Sequence, residues 1–344
     1  MMNLSAMPVT AVDVRLSSDQ IGSRPCSHCY FCKALGTVLY ENLKDRLFAA
    51  PGSWNLRWCP NPSCGLIWLD PMPTESDIWK AYKSYFTHAP AHQTTSLKPG
   101  IQIAKAGMTW LYELRWRFTS IYPEQQQLEL MYLDGRNPGR VLEVGCGDGA
   151  RLAKLRTLGW EVQGQEIDEK AAAQARKSFE LPIFLGSLDR AGFKDEEFDA
   201  VVMSHVLEHV HDPVRLLEEC KRVLKPGGLL VSITPNAQGW GHSHFGACWY
   251  GLDPPRHLLL FSRSTLQQIA LKCGFRDVKT WTTAARSLWT VRGSLRIESK
   301  QTMEQGMWPA IKRRIREVTL HTAAVTAQRR NPDAGEECVL SASK

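Results

Sequence analysis

The sequence predicts an α/β protein built on a doubly wound, mostly parallel sheet, because short β-rich runs alternate with helical runs from residue 140 onward. Six candidate strands lie at residues 140–144, 161–166, 182–185, 198–203, 229–233 and 278–282, and the stretches between them are long enough for crossover helices. Two of the helical runs end at a glycine, Gly159 and Gly274, and the second has Ser262 as its expected N-cap. After a turn at residues 331–335, the chain is expected to return to the sheet as a seventh strand at 337–341.

The composition is that of an ordinary globular protein. Of its 344 residues 43% are hydrophobic and 22% charged, and 42 basic against 35 acidic residues leave a net charge of +7. That modest charge does not require a nucleic-acid partner. The apolar runs fall far short of the roughly 18 residues that a membrane-spanning helix needs, and no secretion signal precedes them, so we expect a cytoplasmic protein.

The chain divides into six expected segments. A flexible tail (1–24), a cysteine-rich segment (25–73) and a helical connector (74–138) precede the α/β core (139–290), a helical insertion (291–335) and the final strand (336–344). In the connector, an apolar stripe expected to pack on the core is formed by Ile103, Trp110, Leu111, Leu114 and Phe118. In the insertion, a similar stripe is formed by Trp308, Ile311, Ile315 and Val318. Its basic residues 312–316 lie either on a solvated helix face or against an anionic membrane.

Five of the ten cysteines fall within 39 residues: Cys26, Cys29, Cys32, Cys59 and Cys64. Without a secretion signal, such a cluster favours metal ligation over disulfides. The pairs Cys29-x2-Cys32 and Cys59-x4-Cys64 can supply four thiolates to one tetrahedral zinc, whose binding would stabilise a segment too small to fold alone. Cys26-x2-Cys29 is a competing pair. Four thiolates leave no open coordination position, so the predicted zinc is structural.

A glycine-rich turn follows the first core strand and opens a helix. It contains Gly145, Gly147 and Gly149, which let the backbone approach a ligand closely beside the free N–H groups of the helix N-terminus. The turn also satisfies a dinucleotide fingerprint, and Glu166, 21 residues after Gly145, is placed to bind a ribose in either case. The acidic residues around the turn, Glu143 and Asp148, disfavour a pyrophosphate and favour the cationic cofactor S-adenosylmethionine.

Three further blocks, at residues 198–203, 207–210 and 224–231, complete a pattern that resembles the class I S-adenosylmethionine-dependent methyltransferases. The resemblance is greatest to the ubiquinone-biosynthesis-like small-molecule group and covers about residues 139–281. It implies a seven-stranded Rossmann-like sheet in which cofactor contacts come from Glu143, Gly145, Cys146, Gly147, Asp148, Gly149, Glu166, Ile167, Ser187, Leu188, Ser204 and His205. Ser187 stands where relatives often present an aspartate to the adenine amino group.

The cysteine-rich segment also resembles a known element, the zinc-ribbon segments found ahead of some bacterial methyltransferases. This resemblance selects Cys29, Cys32, Cys59 and Cys64 as zinc ligands and leaves Cys26 out. The spacing of four between Cys59 and Cys64 departs from the commoner spacing of two.

Residues 205–209 spell H-x-x-E-H, which taken alone is a zinc-peptidase signature. The motif leaves a predicted strand and precedes Asp212-Pro213, so both histidines cannot lie well inside one helix, as a peptidase requires. In the ubiquinone-type relatives this position holds an acid, a Glu and a His that are associated with a divalent cation. Glu208 and His209 match that cation site, while His205 replaces its first acid. The alternative is that Glu208 and His209 cap and brace the following helix.

Methyl transfer is an in-line displacement, so the protein mainly aligns the acceptor with the methyl group and excludes water. A general base for the acceptor would be a histidine near the carboxyl ends of the strands, and His205 and His257 are the candidates. We therefore predict methyl transfer to a small-molecule or lipid-linked acceptor, at oxygen. The alternatives are a cofactor-binding regulatory protein without turnover, whose ribbon docks a partner, and a nucleic-acid or protein methyltransferase. The latter is disfavoured because Ser204-His205-Val206-Leu207 stands where an N-P-P-Y-type tetrad would be.

Overall fold

The cysteine-rich segment folds as a small antiparallel sheet. The computed structural model describes residues 20–83, 121–299 and 307–344. In the first of these ranges the strands are β1 (Ser23–Arg24), β2 (Thr37–Leu43), β3 (Trp54–Trp58), β4 (Ile67–Asp70) and β5 (Met72–Pro73), followed by a 3-10 helix at Ile78–Tyr82. β2, β3 and β4 pair in that order, and β1 pairs with β5. The first ordered pair thus includes Ser23 and Arg24, which the sequence assigned to the tail.

A seven-stranded sheet forms the core and confirms the predicted doubly wound α/β fold. The remaining strands are β6 (Arg140–Val144), β7 (Glu161–Glu166), β8 (Ile183–Leu185), β9 (Phe198–Ser204), β10 (Leu224–Pro235), β11 (Leu259–Leu260), β12 (Arg276–Thr283) and β13 (Glu337–Ser343). The order in the large sheet is β12-β13-β10-β9-β6-β7-β8, and β13 runs antiparallel to both of its neighbours. β6 and β9 are mostly apolar and are buried along nearly their whole length, as expected for central parallel strands.

Helices connect these strands and carry the predicted caps. They are α1 (Ile121–Glu129), α2 (Ala150–Thr157), α3 (Glu169–Phe179), α4 (Pro213–Val223), α5 (Trp240–Phe245), α6 (Arg263–Lys272), α7 (Ser287–Glu298) and α8 (Met307–Arg330), with 3-10 turns at Leu188–Arg190, Leu207–His209, Gly246–Cys248 and Tyr250–Leu252. The Ser262 hydroxyl accepts the Thr265 N–H at the start of α6, which confirms the N-cap. Gly159 and Gly274 follow their helices with φ of +92° and +75°. Among the described residues, no helix is long and apolar enough to cross a membrane.

The cysteine segment and the core share one hydrophobic interior. β11, which belongs to the core chain, pairs antiparallel with β4 and completes a four-stranded sheet in the order β11-β4-β3-β2. Trp68 on β4 and Leu260 on β11 are buried in the same apolar cluster. The segment is therefore docked against the part of the core that follows β10.

The helix of the insertion is buried mainly in its C-terminal half. Ile315, on the apolar stripe of α8, has 57% of its surface exposed, whereas His321, Ala324 and Val325 are buried further along the helix. Two of the basic residues here lie beside acidic partners, since Arg314 pairs with Glu317 and Arg316 with Glu298. The stripe predicted for the connector, residues 103–118, lies outside the described residues.

Candidate active site

The glycine turn leaves open backbone at the end of β6. Gly145, Gly147 and Gly149 have φ of +66°, +55° and +78°, a conformation that other residues rarely adopt. A Cβ on Gly145 would lie 2.5 Å from a methyl carbon of Val206, while a Cβ on Gly147 would meet no atom within 4 Å. The turn is thus closed on its inner side and open on the side where a ligand can approach.

Glu166 ends β7 and holds this turn in place. Its Oε2 accepts the Gly147 N–H at 2.8 Å, and its Oε1 accepts the N–H groups of Ile167 and Asp168 at 2.7 and 2.9 Å. A carboxylate can accept about four hydrogen bonds. Glu166 therefore stabilises the loop and still has acceptor capacity for a ribose hydroxyl, beside the Ile167 side chain, which is 73% exposed.

Glu143 provides a buried negative group beneath the turn. It is 1% exposed, and one carboxylate oxygen pairs with the Arg151 guanidinium. The other oxygen, Oε2, has no hydrogen-bond partner among the described residues. Burial raises the pKa of Glu143 to about 6, although Arg151 acts in the opposite direction. An unpartnered buried carboxylate oxygen is suited to a cationic group, so this end of the site fits the ammonium of S-adenosylmethionine.

The other predicted cofactor residues surround the same strand ends. Cys146 is 6% exposed, so it offers a ligand mainly its backbone. Ser187 precedes the turn after β8, in which Leu188 is buried. Two residues beyond Ser187, Asp189 pairs with Arg215 at 2.7 Å. Ser204 is the last residue of β9 and leads directly into His205.

His205 is bound by two carboxylates. Its Nδ1 lies 3.0 Å from Glu208 Oε1, and its Nε2 lies 2.7 Å from Glu337 Oε1. Its φ of +56° turns the chain out of β9 toward these partners. Burial disfavours protonation, but the two carboxylates outweigh that effect and raise the pKa of His205 to about 9. His205 is therefore an imidazolium at neutral pH, with both nitrogens engaged.

A cavity of about 770 Å³ opens beyond the carboxyl ends of β9 and β10, within the size range of small-molecule sites. Its wall combines aromatic and apolar side chains with a few polar groups. The wall includes Ile121, Tyr122, His205, His209, Pro235, Trp249, Tyr250, Asp253, His257, Arg286, Leu288, Trp289, Arg292, His321, Glu336 and Glu337. His205 thus connects the cofactor end of β9 with this cavity.

His257 is the other predicted base, and its ring has one free acceptor. Nδ1 lies 2.7 Å from the Gly251 carbonyl oxygen, which can only accept, so Nδ1 carries the hydrogen. Nε2 then has a lone pair and lies 4.0 Å from Asp253 Oδ2. The ring is 6% exposed and packs edge-on against His209, with centroids 4.7 Å apart. The Nε2 lone pair of His257 can accept a proton, whereas both ring nitrogens of His205 already lie within hydrogen-bond distance of carboxylates.

Glu208, His209 and His257 also form a candidate cation site. One ligand atom from each lies within 4.8 Å of the others. Burial, together with the nearby His257, lowers the pKa of His209 to about 4, which keeps its ring neutral, as a metal ligand must be. Both Glu208 oxygens already accept hydrogen bonds, one with His205 and one from the Thr234 hydroxyl at 2.9 Å. Residues 207–209 form a 3-10 turn, so the peptidase geometry is absent here.

Sequence reasoning missed the acidic pair that starts β13. Because β13 is antiparallel, its first residue Glu337 lies opposite Pro235 at the carboxyl end of β10, beside the cavity. Arg286 binds the Glu337 carboxylate through both Nε and Nη2. Glu336 is 2% exposed and accepts the Gly241 N–H at 2.7 Å. An antiparallel final strand beginning with two acids was a usable signal, since its start must lie at the ligand edge of the sheet.

We expect the pH dependence of stability to change when Glu336 is replaced by glutamine. Burial raises the pKa of Glu336 from 4.5 to about 7, although the Gly241 amide and the Trp249 indole favour the carboxylate. The stabilisation of the folded state by this bound proton is fully present below pH about 4.5 and is lost as pH rises through about 7. At pH 8, Glu336→Gln should therefore be more stable than the wild type by about 2–4 kcal/mol, and the difference should vanish near pH 4.5.

Thermal unfolding from pH 4.5 to 8 tests this expectation. The exposed Glu75 provides the matched control, Glu75→Gln, which should follow the wild-type curve. Parallel curves for wild type and Glu336→Gln would contradict the expected ionisation of Glu336.

Known proteins resemble this chain over its α/β core. Residues 116–280 match the family model described as a methyltransferase domain. A solved structure of a SAM dependent methyltransferase from Archaeoglobus fulgidus aligns with 69% of this chain and 99% of that one, at 21% identity and a TM-score of 0.45.

Two curated relatives match part of the same region. The ubiquinone biosynthesis O-methyltransferase of Thiobacillus denitrificans is 35% identical over 123 residues, 33% of this chain and 53% of that protein. A probable S-adenosylmethionine-dependent methyltransferase of Mycolicibacterium smegmatis is 37% identical over 112 residues, 31% of this chain and 44% of that protein. The chain thus spans about half the length of the curated relatives it matches.

Proposed function

We propose that this chain, which carries a methyltransferase domain at residues 116–280, transfers a methyl group from S-adenosylmethionine to an oxygen of a small-molecule or lipid-linked acceptor. The observation that carries the proposal is the arrangement of two sites along one sheet edge. The glycine turn with the unpartnered Glu143 oxygen lies at one of them, and the cavity lies at the other. His205, which follows β9, lines the cavity, and the next residue, Val206, packs against Gly145 of the turn.

The residues of the turn are suited to hold the cofactor by its charge and its sugar. Glu143 would accept the ammonium, the open backbone at Gly147 would lie against the amino-acid part, and Glu166 would accept a ribose hydroxyl. Once bound, S-adenosylmethionine supplies a methyl carbon activated by its positive sulfur. The protein must then align the acceptor with that carbon at about 3–3.5 Å and exclude water.

The cavity supports an acceptor with an aromatic or extended apolar part. Trp249, Tyr250 and Trp289 contribute ring surface to its wall, and its volume is large enough for more than a small polar metabolite. A hydroxyl acceptor needs to lose its proton during transfer, and His257, whose Nε2 carries a lone pair, is one of the residues that line this space. We therefore assign the base to His257, and a positioning and charge role to His205.

A divalent cation held by Glu208, His209 and His257 is the second candidate for the same step. Its support is the close approach of the three ligand atoms. A cation here would lower the pKa of an acceptor hydroxyl without a base, and it would occupy the His257 lone pair. His257 cannot be a general base and a metal ligand at the same time, because both roles use its Nε2 lone pair. Activity that is lost on chelation and restored by Mg²⁺ would favour the cation.

The four cysteines of the N-terminal segment are proposed to hold a structural zinc. Their sulfurs all lie within 4.8 Å of one another, with Cys29 and Cys64 3.6 Å apart and Cys32 and Cys59 3.3 Å apart. A tetrahedral zinc with bonds of about 2.3 Å places its sulfurs about 3.8 Å apart. Cys26 lies outside this group, and its Sγ is near the His28 carbonyl instead.

Isothermal titration with S-adenosylmethionine tests the cofactor assignment. We expect binding by the wild type and roughly tenfold weaker binding by Glu143→Gln, since a charge-assisted contact is replaced by a neutral one. Glu75→Gln should bind like the wild type. Turnover is then sought with phenolic and lipid-linked hydroxyl acceptors. Absence of binding by the folded wild type would overturn the proposal, and binding without turnover across this panel would favour a cofactor-binding regulatory protein.

A further inference from the structure

We infer that the cysteine ribbon, residues 25–73, is a positioning element of the acceptor site, because two of its side chains hold the acceptor loop, residues 246–258. The described cavity wall contains no residue of the ribbon. The ribbon would therefore act on the site only through the loop that it contacts. The acceptor loop carries Trp249, Asp253 and His257, and it leads directly into β11, which pairs with the ribbon strand β4.

The first contact is a buried ion triad between Asp45, Arg256 and Asp253. Arg256 has no exposed surface, and its guanidinium binds both oxygens of Asp253 within the acceptor loop. Its Nη1 also binds Asp45 Oδ2 at 2.8 Å and the Ala81 carbonyl at 3.0 Å. The guanidinium therefore joins a carboxylate of the loop to a carboxylate of the ribbon, and the Asp45 contact exists only when the two are together.

Asp45 is held rigidly by its own segment. Its oxygens accept the backbone N–H groups of Leu47, Phe48 and Ala50 at 2.9–3.0 Å. The Phe48 ring lies 4.9 Å from the Arg256 guanidinium carbon. A buried arginine that loses one of two carboxylate partners is strongly destabilised. The conformation of residues 253–257, and with it the position of His257, thus depends on a fixed point in the ribbon.

The second contact joins Tyr40 of β2 to His242 and through it to Trp249. His242 Nδ1 lies 2.6 Å from the Ala237 carbonyl, so Nδ1 carries the hydrogen and Nε2 accepts the Tyr40 hydroxyl at 3.0 Å. The His242 ring stacks on Trp249, with centroids 4.8 Å apart and planes at 21°. Tyr40 thus fixes the His242 ring, which stacks on Trp249 in the cavity wall. The two contacts share no residue, so each supports the inference independently.

Hydrogen–deuterium exchange of the full chain tests the inference, with Asp45→Asn and Tyr40→Phe as variants. Tyr30→Phe is the matched control, because the Tyr30 hydroxyl also joins the ribbon to the core, at Asp212, away from the acceptor loop. We expect the peptide covering residues 249–258 to exchange at least about tenfold faster in Asp45→Asn and about 2–10-fold faster in Tyr40→Phe. Residues 140–149 should exchange as in the wild type in all three variants.

Steady-state kinetics with a phenolic acceptor that the wild type methylates provide a second readout. Only this readout rests on the proposed function. Asp45→Asn should lower kcat/KM for the acceptor about tenfold or more and leave the KM for S-adenosylmethionine unchanged, and Asp45→Glu should restore part of the loss. Wild-type exchange of residues 249–258 in both Asp45→Asn and Tyr40→Phe would overturn the inference. If Asp45→Asn does not fold, the inference is tested by comparing the exchange of residues 249–258 in Tyr40→Phe with that in Tyr30→Phe. A wild type without turnover would count against the proposed function and leave the exchange test intact.

Discussion

Replacing His257 with asparagine is expected to lower kcat by about 10²–10⁴-fold, the usual contribution of a general base, while the affinity for S-adenosylmethionine stays within about twofold. Asparagine can still donate an N–H to the Gly251 carbonyl, which His257 Nδ1 approaches to 2.7 Å. The loop should therefore keep its conformation. What the variant lacks is the Nε2 lone pair of a residue that lines the cavity.

His244→Asn is the matched control for this variant. His244 lies in the neighbouring helix α5, is exposed, and stacks on Trp240 at 4.6 Å. Single-turnover measurements should show wild-type rates for His244→Asn. A kcat for His257→Asn within about threefold of the wild type would contradict the role of His257 as base.

Sensitivity to chelation separates the base from the cation. If His257 is the base, removal of divalent cations should leave kcat/KM unchanged as long as the zinc content of the chain is unchanged. If the cation is present, chelation should abolish turnover and Mg²⁺ should restore it. His257→Asn should then also lose affinity for the cation, measured by titration with Mn²⁺.

The sheet could be predicted from the sequence because its signals are local. β6 and β9 are short, mostly apolar runs, two helices stop at Gly159 and Gly274, and the glycine turn follows directly after β6. The last strand was also predicted, at 337–341 against the observed Glu337–Ser343. Each of these features is set by a dozen or fewer neighbouring residues, and short-range periodicity is enough to find it.

The acceptor site depends on contacts that sequence patterns do not contain. His205 meets Glu337 across 132 positions, and Asp45 meets Arg256 across 211. The candidate base His205 was chosen for its place after β9, but its two carboxylate partners change its protonation, and one of them comes from another strand. Ile315 lies on the apolar stripe of α8 and is exposed, since an apolar stripe does not indicate which half of a helix the core will cover.

Replacing Cys29 with serine is expected to abolish binding of the proposed zinc and to unfold the ribbon, whereas Cys26→Ser should keep one zinc per chain. The two residues are three positions apart, but only Cys29 lies in the four-sulfur group. Structural zinc contributes folding free energy of about 10–16 kcal/mol in isolated zinc-finger peptides, so its loss should be among the largest effects of any single substitution. Zinc per chain by mass spectrometry checks the first part of the expectation. Equal zinc content in the two variants would contradict the assignment.

The Cys29→Ser and Cys26→Ser variants also show how a loss of activity on chelation should be interpreted. Because Asp45 and Tyr40 join the ribbon to the acceptor loop, loss of the zinc in Cys29→Ser should speed exchange of residues 249–258 and lower turnover, although no cysteine of the group lines the described cavity wall. Mg²⁺ should not restore that activity. A cation at Glu208, His209 and His257 would instead be removed and restored without any change in the zinc content of the wild type. Chelation therefore identifies a catalytic cation only when zinc content and loop exchange are measured in the same sample.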